Sequence, residues 1–389
     1  MADHIGQRIA ARRRARRMTQ ADLAREAHVS LPMIKGCERG VRKPGPSTLE
    51  AIAAALAVDA SRLDPAYVGT SHRVRAALPA VSAAIAAYEC PLDPPACSLP
   101  EIQADARTVM AWRLAAQYGL IAAKAPRLLT DALAHLHAAT GKERGDAARV
   151  VVAVARAADA VAYKSGAHDL SARLVDVMRW AAGHADDPNL SATVAYVRAE
   201  TFFAAHAYRA GQLVLEQALD TMPAPGTEPS NATRGALHMR TAVVAARAGD
   251  ADSARGHLLE ARTLAETLPE GIYLGTAFGP SSVSVHEVAI SVSLGRDHIG
   301  RALEVADSWA PGDETPAERR SGFWIEVARA RLWSGDPDGA FESLKAARKE
   351  APQHVRDHPW AREDIEKIRR LKRSDATSLT AYAEWIGAI

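Results

Sequence analysis

Arg12, Arg13, Arg14, Arg16 and Arg17 form a basic run, and Lys35, Arg39, Arg42 and Lys43 follow within a short span. Residues 1–43 hold 11 Lys or Arg against 4 Asp or Glu, a local charge of +7 in a chain whose total is +2. The chemistry on offer is electrostatic, the neutralisation of phosphates, and the remainder of the chain lacks that footprint. Among the basic residues, Ser30 and Lys35 can hydrogen-bond base edges, Leu31 and Pro32 can press on thymine methyls, and Gly36 leaves space. None has the bidentate geometry of Arg, Asn or Gln, so phosphate contacts and DNA shape should carry more of any specificity.

Bond-making chemistry finds no support. His135 and His137 lack further ligands at metal spacing. Gly141-Lys142 is followed by Glu143, and no glycine stands at position 136, which excludes a phosphate loop. Cys90 and Cys97 lie in a proline-rich stretch and read as ordinary thiols. The expectation is no enzyme, no metal and no cofactor. Three cysteines in 389 residues argue against a disulfide framework and for a reducing cytoplasm. No apolar run of about 18 residues predicts a membrane span, and no signal-peptide core opens the chain.

Short helices must position the basic residues. Thr19 predicts an N-cap, with Leu23 and Ala24 on the buried face of a first helix. His28-Val29 predicts a corner, Ser30 caps a second helix carrying Ile34 inward, and Gly40 stops it in a left-handed conformation. Two short helices with a fixed corner can lay one helix in a major groove.

Residues 19–40 resemble the helix-turn-helix of the Cro and phage-repressor-like (XRE) regulators through Thr19, Gln20, Leu23, Ala24, Val29, Ser30, Ile34, Glu38, Arg39 and Gly40. The resemblance covers roughly residues 4–66 and implies a five-helix domain binding a double-stranded operator, an inverted repeat read by a homodimer. It further implies that Gln20 hydrogen-bonds a phosphate, that Arg13 and Glu38 form a structural ion pair, and that Arg39, Arg42 and Lys43 flank the groove. Arg12 stands where the family usually has an apolar residue, and Arg17 where it often has glycine. Phosphate attraction is the reading taken for the run, Arg16 and Arg17 included.

Alanine supplies much of the 48% apolar content, which suits closely packed helices. Residues 1–66 read as the first domain. Residues 67–100 read as a connecting helix, Val74 to Tyr88, followed by a proline loop. From 101 to 389 helix follows helix, and no alternating strand pattern competes. A repeat emerges at 321–352, with Trp324, Val327 and Ala328, then Gly335-Asp336, then Ala340, Leu344 and Ala347. Residues 235–266 repeat the Gly-Asp turn, and 192–223 place Gly211, Leu215 and Ala218 alike. A unit at 282–309 requires a longer turn.

These units resemble the tetratricopeptide (TPR) pattern, and the expected fold is all-α, a repressor-like domain followed by an α-solenoid of degenerate hairpins. The joint arrangement resembles bacterial regulators with an XRE domain and a TPR-like sensor. The segment 278–286 is similar to one found in them, with Ser282 in place of an asparagine. A solenoid presents a concave face to a peptide or small-molecule effector. The registers place Tyr196, Glu200, Met239 and Arg329 inward, with His286 a further candidate. The expected function is a sequence-specific transcriptional regulator. The alternatives are a TPR scaffold anchored on DNA, or a phage-type repressor controlled by a partner protein.

Overall fold

The structure, a computed structural model, describes residues 4–388 apart from 28, 57, 59, 66, 68, 91, 92 and 373–375. His28, assigned above to a corner, and Pro91 lie outside the described residues. The chain divides into two compact units, 1–73 with 365–389, and 74–364.

The first unit opens with α1 (Ile5–Ala15), α2 (Gln20–Glu26), α3 (Leu31–Glu38) and α4 (Pro46–Ala55). Ile9, Leu23, Ile34, Ile52, Leu56 and Leu63 converge in its core. α1 ends with Arg17 at φ 55°, and Met18 N donates back to Arg13 O at 3.1 Å. α3 ends the same way at Gly40, φ 76°, with Val41 N donating to Gly36 O at 3.0 Å. α1 and α3 touch closely at Gly6, where a Cβ would fall 2.0 Å from Cys37 O. The expected fifth helix is a 3-10 turn, Ala60–Arg62. Pro65 follows Asp64, and the residue before a proline avoids helical geometry.

The second unit begins within α5 (Thr70–Ala84), whose Val74 and Val81 enter its core. The sequence boundary near 66 therefore moves, because this helix packs with the repeats and does not merely link them. Six hairpins follow among the described residues. They are α6 (Leu99–Leu114) with α7 (Tyr118–Ala138), α8 (Gly141–Lys164) with α9 (His168–Ala182), and α10 (Pro188–Ala204) with α11 (Tyr208–Thr221). α12 (Glu228–Arg247) then pairs with α13 (Ala251–Ala265), and a β-hairpin of β1 (Gly271–Tyr273) and β2 (Thr276–Phe278) leads on. The last two pairs are α14 (Pro280–Ser293) with α15 (Ile299–Ser308), and α16 (Ala317–Trp333) with α17 (Pro337–Glu350). α18 (Pro352–Asp357) and α19 (Pro359–Leu371) follow.

Each helical hairpin turns on one left-handed residue: Ala116, Gly166, His206, Gly249, Gly295 and Gly335. Small residues let paired helices touch. Ala254, Ala261, Ala340 and Ala347 are fully buried, and a Cβ on Gly211 would stand 2.9 Å from Phe202. Pro100 is not part of a loop. It occupies the first turn of α6 behind Ser98, where a missing N–H costs nothing. A small β-hairpin interrupts the all-α chain: Leu274 and Gly275, both at positive φ, join antiparallel strands in register Tyr273 to Thr276.

The final helix, α20 (Ala376–Ile386), groups with the first unit, and Arg62 Nη2 meets Glu384 Oε2 at 3.0 Å. Residues 365–389 thus leave the repeat domain to which the sequence assigned them. Leu379, Tyr382, Ala383 and Ile386 give α20 a buried apolar stripe.

Candidate functional site

Thr19 Oγ1 accepts from Asp22 N at 3.1 Å, and Ser30 Oγ accepts from Met33 N at 3.3 Å, starting α2 and α3. Behind them lies a three-way lock. Arg13 grips Glu38 bidentately, Nε to Oε1 at 2.6 Å and Nη2 to Oε2 at 2.9 Å, while its Nη1 donates to Met18 O at 2.8 Å. Gln20 Nε2 donates to the same carboxylate at 2.7 Å. The paired side chains are only 11% and 7% exposed. Burial pushes the Glu38 carboxyl up, but hydrogen bonds from Arg13 and Gln20 outweigh it and hold it below its ordinary value.

Ser30, Pro32, Lys35, Arg39, Arg42, Lys43 and Arg17 are exposed. Arg39 Nε donates to Lys35 O at 3.2 Å, and Lys43 lies 3.7 Å from Asp64. Leu31 is half-buried against the core, which leaves less of it for a base. Three expectations change. Gly36 leaves no open space, because it is buried with Arg42 Cδ 3.4 Å from where its Cβ would be. Arg16 donates Nη1 to Ala55 O, turning that group to the end of α4. Gln20 commits its amide nitrogen to Glu38 rather than presenting it outward.

The second unit holds a half-open cavity of about 630 Å³, lined by eight Arg or Lys and five Asp or Glu side chains. Tyr196 is fully within it. The Arg240 guanidinium lies 4.0 Å from its ring centroid and that of Arg156 5.7 Å, while Arg319 donates Nη2 to the phenol oxygen. Burial raises the phenol, yet Arg240, Arg319 and Arg156 together bring it down to about 8. His286 Nδ1 sits 2.8 Å from Ser282 O and Nε2 3.2 Å from Arg319 Nη1, so Nδ1 carries the proton and Nε2 accepts. Burial first, and then Arg319, keep it neutral.

The hairpin tip closes part of this wall. Arg113 donates to Gly275 O, and Arg156 donates to Leu274 O at 2.9 Å and to Thr276 Oγ1 at 2.8 Å. Burial lowers Arg156 to about 9. Asp159 accepts from Ser171 Oγ at 2.6 Å; burial and neighbouring Glu200 push its carboxyl well up. Glu318 takes Lys164 at 3.4 Å and Tyr118 Oη at 3.2 Å. Glu326 is pushed up to about 8 by burial.

Of the residues the sequence pointed inward, Tyr196, Glu200 and His286 line this cavity. Met239 does not: it is fully buried in the core, because α12 is packed on nearly every side. Arg329 also does not, since Asp364 holds its Nε at 3.1 Å and its Nη2 at 3.0 Å, and Glu363 takes Nη2 at 2.7 Å. Ser282 faces Glu270, whose carboxylate accepts from its N–H and hydroxyl. His135 and His137 tether the loop before α6, at Cys97 O and Tyr88 O. Sequence reasoning missed Arg113, Arg156, Arg240, Arg247 and Arg319. The signal available was Arg240 and Arg247, two turns apart on an otherwise apolar stretch of α12.

Residues 4–66 match a family model described as a helix-turn-helix domain, and that stretch is a helix-turn-helix domain. The immunity repressor protein of Bacillus phage phi105 is 42% identical over 59 residues, 15% of this chain and 41% of the repressor. The chain therefore spans about two fifths of the length of that curated relative. Among solved structures, Bacillus thuringiensis PlcR in complex with the peptide PapR7 and DNA is similar over 68% of this chain and 95% of that one, with 13% identity and a TM-score of 0.29. Among the described residues no helix is long and apolar enough to cross a membrane.

Proposed function

We propose that this chain is a DNA-binding transcriptional regulator whose helix-turn-helix reads an operator, as a homodimer on an inverted repeat, under control of an effector held by the repeat unit. The observation carrying the first part is the Arg13–Glu38–Gln20 lock, which fixes α3 while Pro32 and Lys35 stay exposed beside Arg39, Arg42 and Lys43. The phage repressor relative supports the same reading, and the cavity around Tyr196 supports an effector.

The full chain should select a palindromic site from randomised duplex DNA. If about six phosphates are neutralised, log affinity should fall with log salt at a slope of about −5. Tight binding with a flat salt dependence, or failure to enrich any sequence, would overturn the reading. An effector shifts operator affinity only by its preference for one arrangement of the protein, so operator must shift effector affinity equally.

A further inference from the structure

We propose that the cavity takes a small ligand through an acidic group, a carboxylate or phosphate, seated between Arg240 and Arg319 at Tyr196. This deepens the effector reading above by naming the ligand's chemistry.

The cavity's carboxyl groups are largely committed elsewhere. Asp159 is bonded to Ser171 and Glu200, Glu318 is taken by Lys164 and Tyr118, and Asp357 pairs with Arg362 at 3.2 Å. The guanidinium groups, by contrast, spend their hydrogen bonds on neutral partners, and Glu318 and Glu200 act on Arg113 and Arg319 only through space. Arg319 bonds a phenol and an imidazole, and Arg113 and Arg156 bond backbone carbonyls and a hydroxyl of the hairpin. Arg240 rests on the faces of Tyr196 and Phe203, and its Nε is buried without a hydrogen-bond partner. Arg247 lies 4.5 Å over Phe203 and 5.7 Å from the Trp360 centroid.

A buried guanidinium is costly unless a counter-charge and acceptors complete it, and a planar fork matches an oxyanion bidentately. Arg240 over the ring and Arg319 at the hydroxyl bracket Tyr196 from two directions. Phe203, Val243 and Phe323 supply apolar wall for the rest of the ligand. Its volume of about 630 Å³ falls within the range of small-molecule sites. That suits an organic acid, a phosphomonoester or a peptide of two or three residues.

The probe is benzoate against its neutral isostere benzamide, titrated into the full chain without DNA at constant ionic strength. Benzoate should raise the melting temperature and the ionisation midpoint of Tyr196, read as the absorbance at 295 nm that Tyr196→Phe removes. Benzamide should do neither, and Arg240→Gln or Arg319→Gln should weaken benzoate at least tenfold. Phenyl phosphate, and short aromatic peptides with free or amidated C-termini, then separate phosphate, organic acid and peptide sources. Equal action of benzoate and benzamide, no benzoate effect up to 50 mM, or full affinity in both arginine variants would overturn the proposal. Because no DNA is present, failure here leaves the operator reading standing, and failure to bind DNA leaves this site standing.

Discussion

The ring of Phe278, at the end of β2, occupies the space where Gly235 of α12 would carry a side chain: a Cβ there would fall 2.0 Å from Cζ. Gly235→Ala should therefore force the ring aside in a filled core, costing about 1–3 kcal/mol. Calorimetry of the full chain should show a lower Tm, partly restored by adding Phe278→Leu. An unchanged Tm would mean the ring has room to turn.

Arg13→Ala should leave the Glu38 carboxylate buried without its partner, at a cost of about 3–5 kcal/mol. Glu38 titrates lower in the folded than in the unfolded chain. Its contribution is thus complete above about pH 4.3 and is lost as pH falls through the folded value. Urea melts between pH 3 and 6 should show that acid loss in the wild type and a shallower one in Glu38→Gln.

Arg17 holds φ 55° at the end of α1, a conformation that costs any residue with a Cβ. Arg17→Gly should stabilise the first unit by about 0.5–1 kcal/mol. Under the proposed function, the same change removes a phosphate contact and should reduce the magnitude of the salt slope by about 1. A variant that neither melts later nor binds DNA more weakly would contradict both halves.

Under the proposed function, Lys35→Ala should alter preference among operator variants, because Lys35 is exposed on α3 and its ammonium can donate to base edges. Arg39→Ala should weaken binding to all of them alike. Binding measured across a panel of single-base operator changes distinguishes the two. An unaltered preference profile in Lys35→Ala would remove it from the reading set.

The helix-turn-helix was legible because its signals are local. Thr19 and Ser30 cap, Leu23 and Ile34 turn inward from the two helices so started, and Gly40 stops the second, all within 22 residues. What was not legible depends on distant chain. Helical periodicity could not tell which side of α12 meets the cavity, so Met239 was placed inward although it is core. Arg329 is claimed by carboxylates 34 and 35 positions away. Two hairpin turns were hidden because Ala116 and His206 adopt the left-handed conformation that elsewhere falls to glycine. The β-hairpin was hidden for a related reason: Leu274 stands where Asn or Gly would announce the turn.

Glu38 ties α1, α2 and α3 together with no atom contributed by Pro32 or Lys35. Ser30 differs, since its hydroxyl starts α3 and is not free to change without cost. Under the proposed function, the lock residues and Lys35 are thus separate sets of side chains. A descendant of this chain could then, under that function, exchange Lys35 for another residue and address a new operator while the lock stays intact. On that reading, the three-helix lock is what makes the recognition surface evolvable.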